Sequence, residues 1–134
     1  IGECKVGLMT CWDQWYSESY RQMNKLGADI ILCPTSIGSA YQKGRSISLS
    51  KEKEKWVNVI TANSLMINTP IVIVNRSGNE KDKDSMINFW GSSFVTNADG
   101  DIIFMNKNKK STDHIVISLI QKQISKKLWS FCSK

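Results

Sequence analysis

Apolar residues fall along this chain in short continuous blocks, separated by stretches of helical spacing. The first block, "CKVGLMT", is β-leaning and predicts a strand over about Lys5 to Thr10. In "SESYRQMNKLGA", Tyr20, Met23 and Leu26 share one helical face. Ser17 is placed to cap that helix, Glu18 suits its first turn, and Gly27 ends it. "ADIILCPT" predicts a second buried strand, stopped by Pro34. The polar stretch "SIGSAYQKGRSISLS" reads as a long loop, a feature that in compact domains often carries function.

The clearest helix is "SKEKEKWVNVITANSLMIN", with Ser50 as its cap. Trp56, Val59, Ile60, Asn63 and Ile67 mark its inner face. "TPIVIVNRSG" predicts a third buried strand. "MINFWGSSFVTNADGDIIFMN" predicts two strands about the turn "NADG". "HIVISLI" reads as a last strand and "IQKQISKKLWSF" as a short amphipathic helix. The order is β-α-β-α-β-β-β-β-α, which argues an α/β sheet covered by helices on one or both faces. No repeat, low-complexity segment or linker interrupts it.

Composition narrows the class. A chain of 134 residues suffices for one domain with a real core, and 41% hydrophobic with 22% charged residues is a globular balance. No apolar run approaches the roughly 18 residues of a membrane span, so no membrane partner is expected. "IGECKVG" shows no basic stretch leading into an apolar one, so no secretory leader is expected. The four cysteines, Cys4, Cys11, Cys33 and Cys132, form no CxxC pair, and His114 is the single histidine. That spacing points away from a metal site and towards free thiols in a reducing, cytoplasmic compartment. The net charge of +6 is spread among acids, as in "SKEKEKW" and "NEKDKD", so no nucleic-acid partner is expected.

Cys11 is the candidate for chemistry. It follows the carboxyl end of the first predicted strand and precedes a helix, where α/β proteins commonly place reactive groups. Helix N–H groups favour a thiolate there, and the Trp12 and Asp13 amides could face a developing oxyanion. The alternative is a packed, inert cysteine. His114 is the only histidine that could serve as a base, and nothing in the pattern brings it to Cys11; a surface position fits it better.

"GLMTCWDQWYSES" resembles the nucleophile segment of the nitrilase superfamily, the carbon–nitrogen hydrolases, and CWDQW is similar to the N-carbamoylputrescine amidase branch. "GADIILCPTSIGS", "WVNVITANSLMINTPIVIVNRSGNE", "INFWGSSFVTNADGDII" and "KKLWSF" resemble further family segments in order. The resemblance implies part of an αββα sandwich, with residues 1–134 as the C-terminal portion of one domain and the N-terminal half outside this chain. It implies a Glu–Lys–Cys triad with Cys11 as nucleophile. The base Glu and the Lys are expected upstream, since Glu3 and Lys5 do not sit in the corresponding motifs. Both ends of the chain look cut, and half a sandwich would leave an apolar sheet face open.

The implied reaction is hydrolysis of a carbamoyl or amide group on a small molecule without cofactor or metal, with N-carbamoylputrescine as first candidate in polyamine synthesis. Trp12 and Thr35 are the implied substrate contacts, and a homo-oligomer through the family dimer interface is the implied assembly. Asp13 is expected to orient the loop, Asn75 to bond backbone, and Arg76 to pair with Glu80. Ala40 stands in "GSAY" where that branch usually carries an acid suited to a substrate ammonium. The helix carries Asn63 and Ile67 where the family often has a histidine and a later asparagine. A different linear amide, or a non-catalytic member acting in assembly, are the alternatives.

Overall fold

A computed structural model describes residues 3–42, 49–83, 85–107, 113 and 115–117. The elements run β1 (Val6–Leu8), a 3₁₀ helix (Cys11–Trp15), α1 (Ser17–Lys25), β2 (Ile30–Thr35), β3 (Gly38–Gln42), α2 (Leu49–Ile67), β4 (Ile71–Asn75), β5 (Ser77–Asp82), β6 (Ser85–Trp90), β7 (Phe94–Thr96) and β8 (Ile102–Met105). Of the expected last strand over 114–120, residues 115–117 are described and form no strand; its other residues, the terminal helix and His114 lie outside the described residues.

A five-stranded sheet has the order β1-β2-β4-β7-β8. β1, β2 and β4 are parallel, and β7 and β8 join antiparallel. The register pairs Ile31 with Ile71, Cys33 with Ile73 and Thr35 with Asn75. These side chains are all buried on one face, together with Trp56 and Ile60 of α2 and Tyr20 of α1. Gly7 sits opposite Ile31 on that face. A Cβ there would lie 3.1 Å from Ala28 Cβ and 3.2 Å from Met23 Sδ, so the absent side chain lets α1 and its following turn close on the sheet.

The opposite face carries Leu8, Leu32, Pro34, Val72 and Val74, aligned by the same registers. Leu8 is 69% exposed and Val74 58%. This is the open apolar face expected of a partial sandwich, whose two sheets pack face to face about 10 Å apart when both are present. A cavity of about 340 Å³ opens beside Val72, Val74, Phe104 and Ile115.

Several expectations are corrected. Pro34 does not stop β2 but lies within it, opposite Val74. The Met9 N–H donates to Leu32 O, so residues 32 and 34 turn their backbone groups towards β1. β1 ends at Leu8, and the proline's missing N–H falls where the partner strand has gone. The stretch read as one loop contains β3. β3 pairs with β6, and β6 with β5, in a second three-stranded antiparallel sheet that the sequence did not separate. β7 and β8 are the strands about "NADG". Ser17 is the first helical residue rather than the cap, because the 3₁₀ helix runs up to Tyr16, which takes the cap position. α2 likewise already includes Ser50.

Candidate active site

Cys11 begins the 3₁₀ helix directly after β1 and has φ +44°. A non-glycine residue in that region is uncommon and is held there by its surroundings. The bracing is reciprocal. Thr10 N–H donates to Asp13 Oδ2 at 2.9 Å, and Asp13 N–H donates to Thr10 O at 3.0 Å. Asp13 therefore fixes the loop, as expected. Its amide, expected to face an oxyanion, is instead engaged with Thr10.

The residue that sequence reading left without a role is Gln14. Its side chain is 1% exposed. Trp56 Nε1–H donates to Gln14 Oε1 at 2.8 Å, and Gln14 Nε2–H donates to Thr35 Oγ1 at 2.8 Å. Tyr20 Oη–H donates to the Gln14 carbonyl at 2.8 Å. Burial raises the Tyr20 phenol well above its ordinary pKa, with Cys33 adding to the shift, so it remains a donor. The turn carrying Cys11 is thus bonded to α1, α2 and β2. The one sequence signal was a polar residue in a cluster of tryptophans, which demands partners when buried.

Thr35 ends β2, next to β1, and is 8% exposed. It is the next residue on the face of β2 that carries Cys33, whose thiol the Cys11 backbone N–H meets, and it is tied to the Cys11 turn through Gln14. Trp12 is 64% exposed, with Nε1–H donating to Tyr16 Oη at 3.3 Å and its ring 6.2 Å from that of Trp15. Trp15 Nε1 is buried with no acceptor among the described residues. Cys33 lies beneath the loop. Burial pushes its thiol up to about 11, the Asp13 carboxylate adds to this, and the Cys11 backbone N–H opposes it. Cys33 is therefore the packed thiol of the two, and Cys11 is the partly exposed one.

Asn75 braces the same edge. It accepts from Ile37 N–H at 2.9 Å and donates to Ile37 O at 3.1 Å and Gly91 O at 2.9 Å. Arg76 pairs with Glu80 at 2.7 Å and lies 4.3 Å over the Phe89 ring. Both residues act on local structure, as expected. Ala40 falls on β3, opposite Ile87. Asn63 turns its amide back to Val59 O at 2.8 Å, which lets it sit on the inner face of α2.

A mixed sheet with helices on one face, and a strained cysteine past its first parallel strand braced by a buried glutamine, define an α/β protein. Residues 1–127 match the carbon-nitrogen hydrolase family, and the chain belongs to it. It is 36% identical over 99 residues to a citrullinase of Francisella tularensis, covering 74% of this chain and 33% of that protein. It is 35% identical over 115 residues to an N-carbamoylputrescine amidase of Oryza sativa, covering 83% of this chain and 36% of the other. A crystal structure of a carbon-nitrogen hydrolase from Helicobacter pylori superposes with a TM-score of 0.86 at 31% identity, over 97% of this chain and 45% of that one. The chain spans about a third of the length of the curated relatives it matches. Among the described residues no helix is long and apolar enough to cross a membrane.

Proposed function

We propose that Cys11 is the nucleophile of an amidohydrolase acting on a ureido group, R–NH–CO–NH2. The observation that carries this reading is the cysteine at φ +44° at the end of β1, with its loop braced by Asp13. The thiolate attacks the carbamoyl carbon, and the Trp12 amide helps hold the oxyanion. Collapse expels R–NH2 and leaves an S-carbamoyl cysteine, which water then cleaves. One water is consumed overall, giving R–NH2, carbon dioxide and ammonia. The family resemblance assigns proton transfer to a Glu and oxyanion binding to a Lys from sequence preceding Ile1. Trp12 and Thr35 line the substrate side. The reading includes no cofactor, a cytoplasmic location and a homo-oligomer.

The ureido group is common to citrulline and N-carbamoylputrescine, named in two relatives. N-carbamoylputrescine, which would give putrescine for polyamine synthesis, is the first candidate. Ala40 weakens the case for a free ammonium end, because a partly buried cation binds poorly without a counter-charge. Citrulline, whose ammonium is accompanied by its own carboxylate, is the second.

The test is ammonia release from both compounds and from a simple aliphatic amide, using the complete polypeptide that carries this chain. Release from a ureido compound, abolished by Cys11→Ala, is expected. Hydrolysis of the aliphatic amide alone would replace the ureido assignment. No turnover of any amide would favour a non-catalytic member acting in assembly.

A further inference from the structure

The hydrogen bonds around Gln14 have a direction that chemistry fixes. An indole N–H can only donate, so Trp56 must face the amide oxygen of Gln14. The amide nitrogen then faces Thr35 and must donate to its Oγ1. Thr35 Oγ1 is thereby the acceptor of this bond, and its own proton is left to give elsewhere. All three side chains are buried, with Trp56 at 0%, Gln14 at 1% and Thr35 at 8% exposure. Water does not compete for the first two, and the 8% that remains belongs to the residue next on that face of β2 after Cys33, whose thiol the Cys11 backbone N–H meets.

We propose that Trp56 and Gln14 are positioning residues that set the Thr35 hydroxyl as an outward hydrogen-bond donor to the carbonyl group or the thiolate at Cys11. Trp56 anchors the relay from α2, and Gln14 transmits its polarity while sitting three residues past the cysteine. The inference rests on the reading of Cys11 as nucleophile. No bond is made or broken in the relay; each member only points its proton.

The relay can be reversed without changing its shape. In Gln14→Glu, an ionised carboxylate accepts from both Trp56 and Thr35, and the threonine proton turns inward. A protonated carboxyl accepts from Trp56 and donates to Thr35, so the native direction returns. Burial raises the pKa of the introduced carboxyl, which brings this exchange towards the assay range.

The experiment compares wild type, Gln14→Glu, Thr35→Val, Thr35→Ser and the Gln14→Glu/Thr35→Val double variant in the complete polypeptide. We expect Gln14→Glu and Thr35→Val each to lower kcat/KM about 10- to 100-fold at pH 8, with Thr35→Ser close to wild type. The ratio of Gln14→Glu to wild type should rise as pH falls, and the double variant should be no worse than Thr35→Val. A Gln14→Glu variant at wild-type activity, a deficit flat with pH, or additive losses would each overturn the relay. If wild type hydrolyses neither a ureido compound nor an aliphatic amide, the amidase reading fails by itself. The relay is then judged by the rate at which iodoacetamide alkylates Cys11 in the same variants. The same non-additive, pH-dependent pattern supports it, and equal rates overturn it.

Discussion

Trp56 and Gln14 lie 42 positions apart, yet the indole N–H of one meets the amide oxygen of the other at 2.8 Å inside the core. That bond joins the long helix α2 to the turn that begins with Cys11. It makes the geometry of the candidate site depend on how α2 packs.

Replacing Trp56 by Phe leaves the Gln14 oxygen buried without a donor. The expected cost is about 1–3 kcal/mol, read from denaturant unfolding of the complete polypeptide. Adding Gln14→Leu removes the orphaned group, and the double variant should regain part of the loss. Equal or greater loss in the double variant would mean that packing against Trp90 and Phe94, not the hydrogen bond, dominates at this position.

The thiols should separate by reactivity. With a pKa of about 11, Cys33 is thiolate in only about one molecule in a thousand at pH 8, and it is 1% exposed. Iodoacetamide followed by peptide mapping should modify Cys11 well before Cys33. The reverse order would contradict the burial described here.

The same thiol gives a pH dependence of stability. Its folded pKa stands above the ordinary value of 9.0. Between about pH 9 and 11 the unfolded chain releases the proton more readily than the folded one, so stability falls as pH rises. Urea midpoints across that range should show the decline, and Cys33→Ala should lessen it between about pH 9 and 10, above which buried Tyr20 adds a decline of its own. A slope unchanged by Cys33→Ala would assign the effect to other groups.

Gly7→Ala tests the close approach of α1. The added carbon meets Ala28 Cβ at 3.1 Å, Met23 Sδ at 3.2 Å and Ile31 Cγ1 at 3.3 Å. Overpacking of this kind should cost about 1–3 kcal/mol by thermal or denaturant unfolding. A neutral result would mean that Met23 swings aside.

The open sheet face should govern behaviour of the chain in isolation. Leu8→Lys with Val74→Lys should reduce self-association and binding of a hydrophobic dye by the 134-residue chain. The same pair should destabilise the complete polypeptide if the face is covered there. Stability unchanged in both settings would count against a second sheet on that face.

Much of this arrangement was legible because it is written in local spacing. Gly27 marked the end of α1, and the turn "NADG" marked the β7–β8 hairpin, since each places a glycine where φ is positive, at +80° for Gly27 and +82° for Gly100. Trp56, Ile60, Asn63 and Ile67 on α2 followed from helical periodicity, whereas Val57 rather than the expected Val59 packs against the core. What escaped depends on distant partners. β3 and β5 are polar, and only pairing with β6 makes them strands. Pro34 reads as a strand breaker until the end of β1 is known. Cys11, Asn75 and Arg76 could be placed through motifs, whereas the role of Gln14 required α2 and β2 to be folded around it.

Pro34 has a further meaning. If β1 and β2 zipped one rung beyond the Met9–Leu32 bond, that rung would call on an N–H that proline lacks. The ladder therefore has a built-in terminus, and sliding β1 further along β2 brings no compensating bond. Thr10 and Cys11 are released into their turn at the same point in every molecule. The reach of Cys11 is thus metered from the neighbouring strand, by an imino acid whose contribution is the hydrogen it does not have.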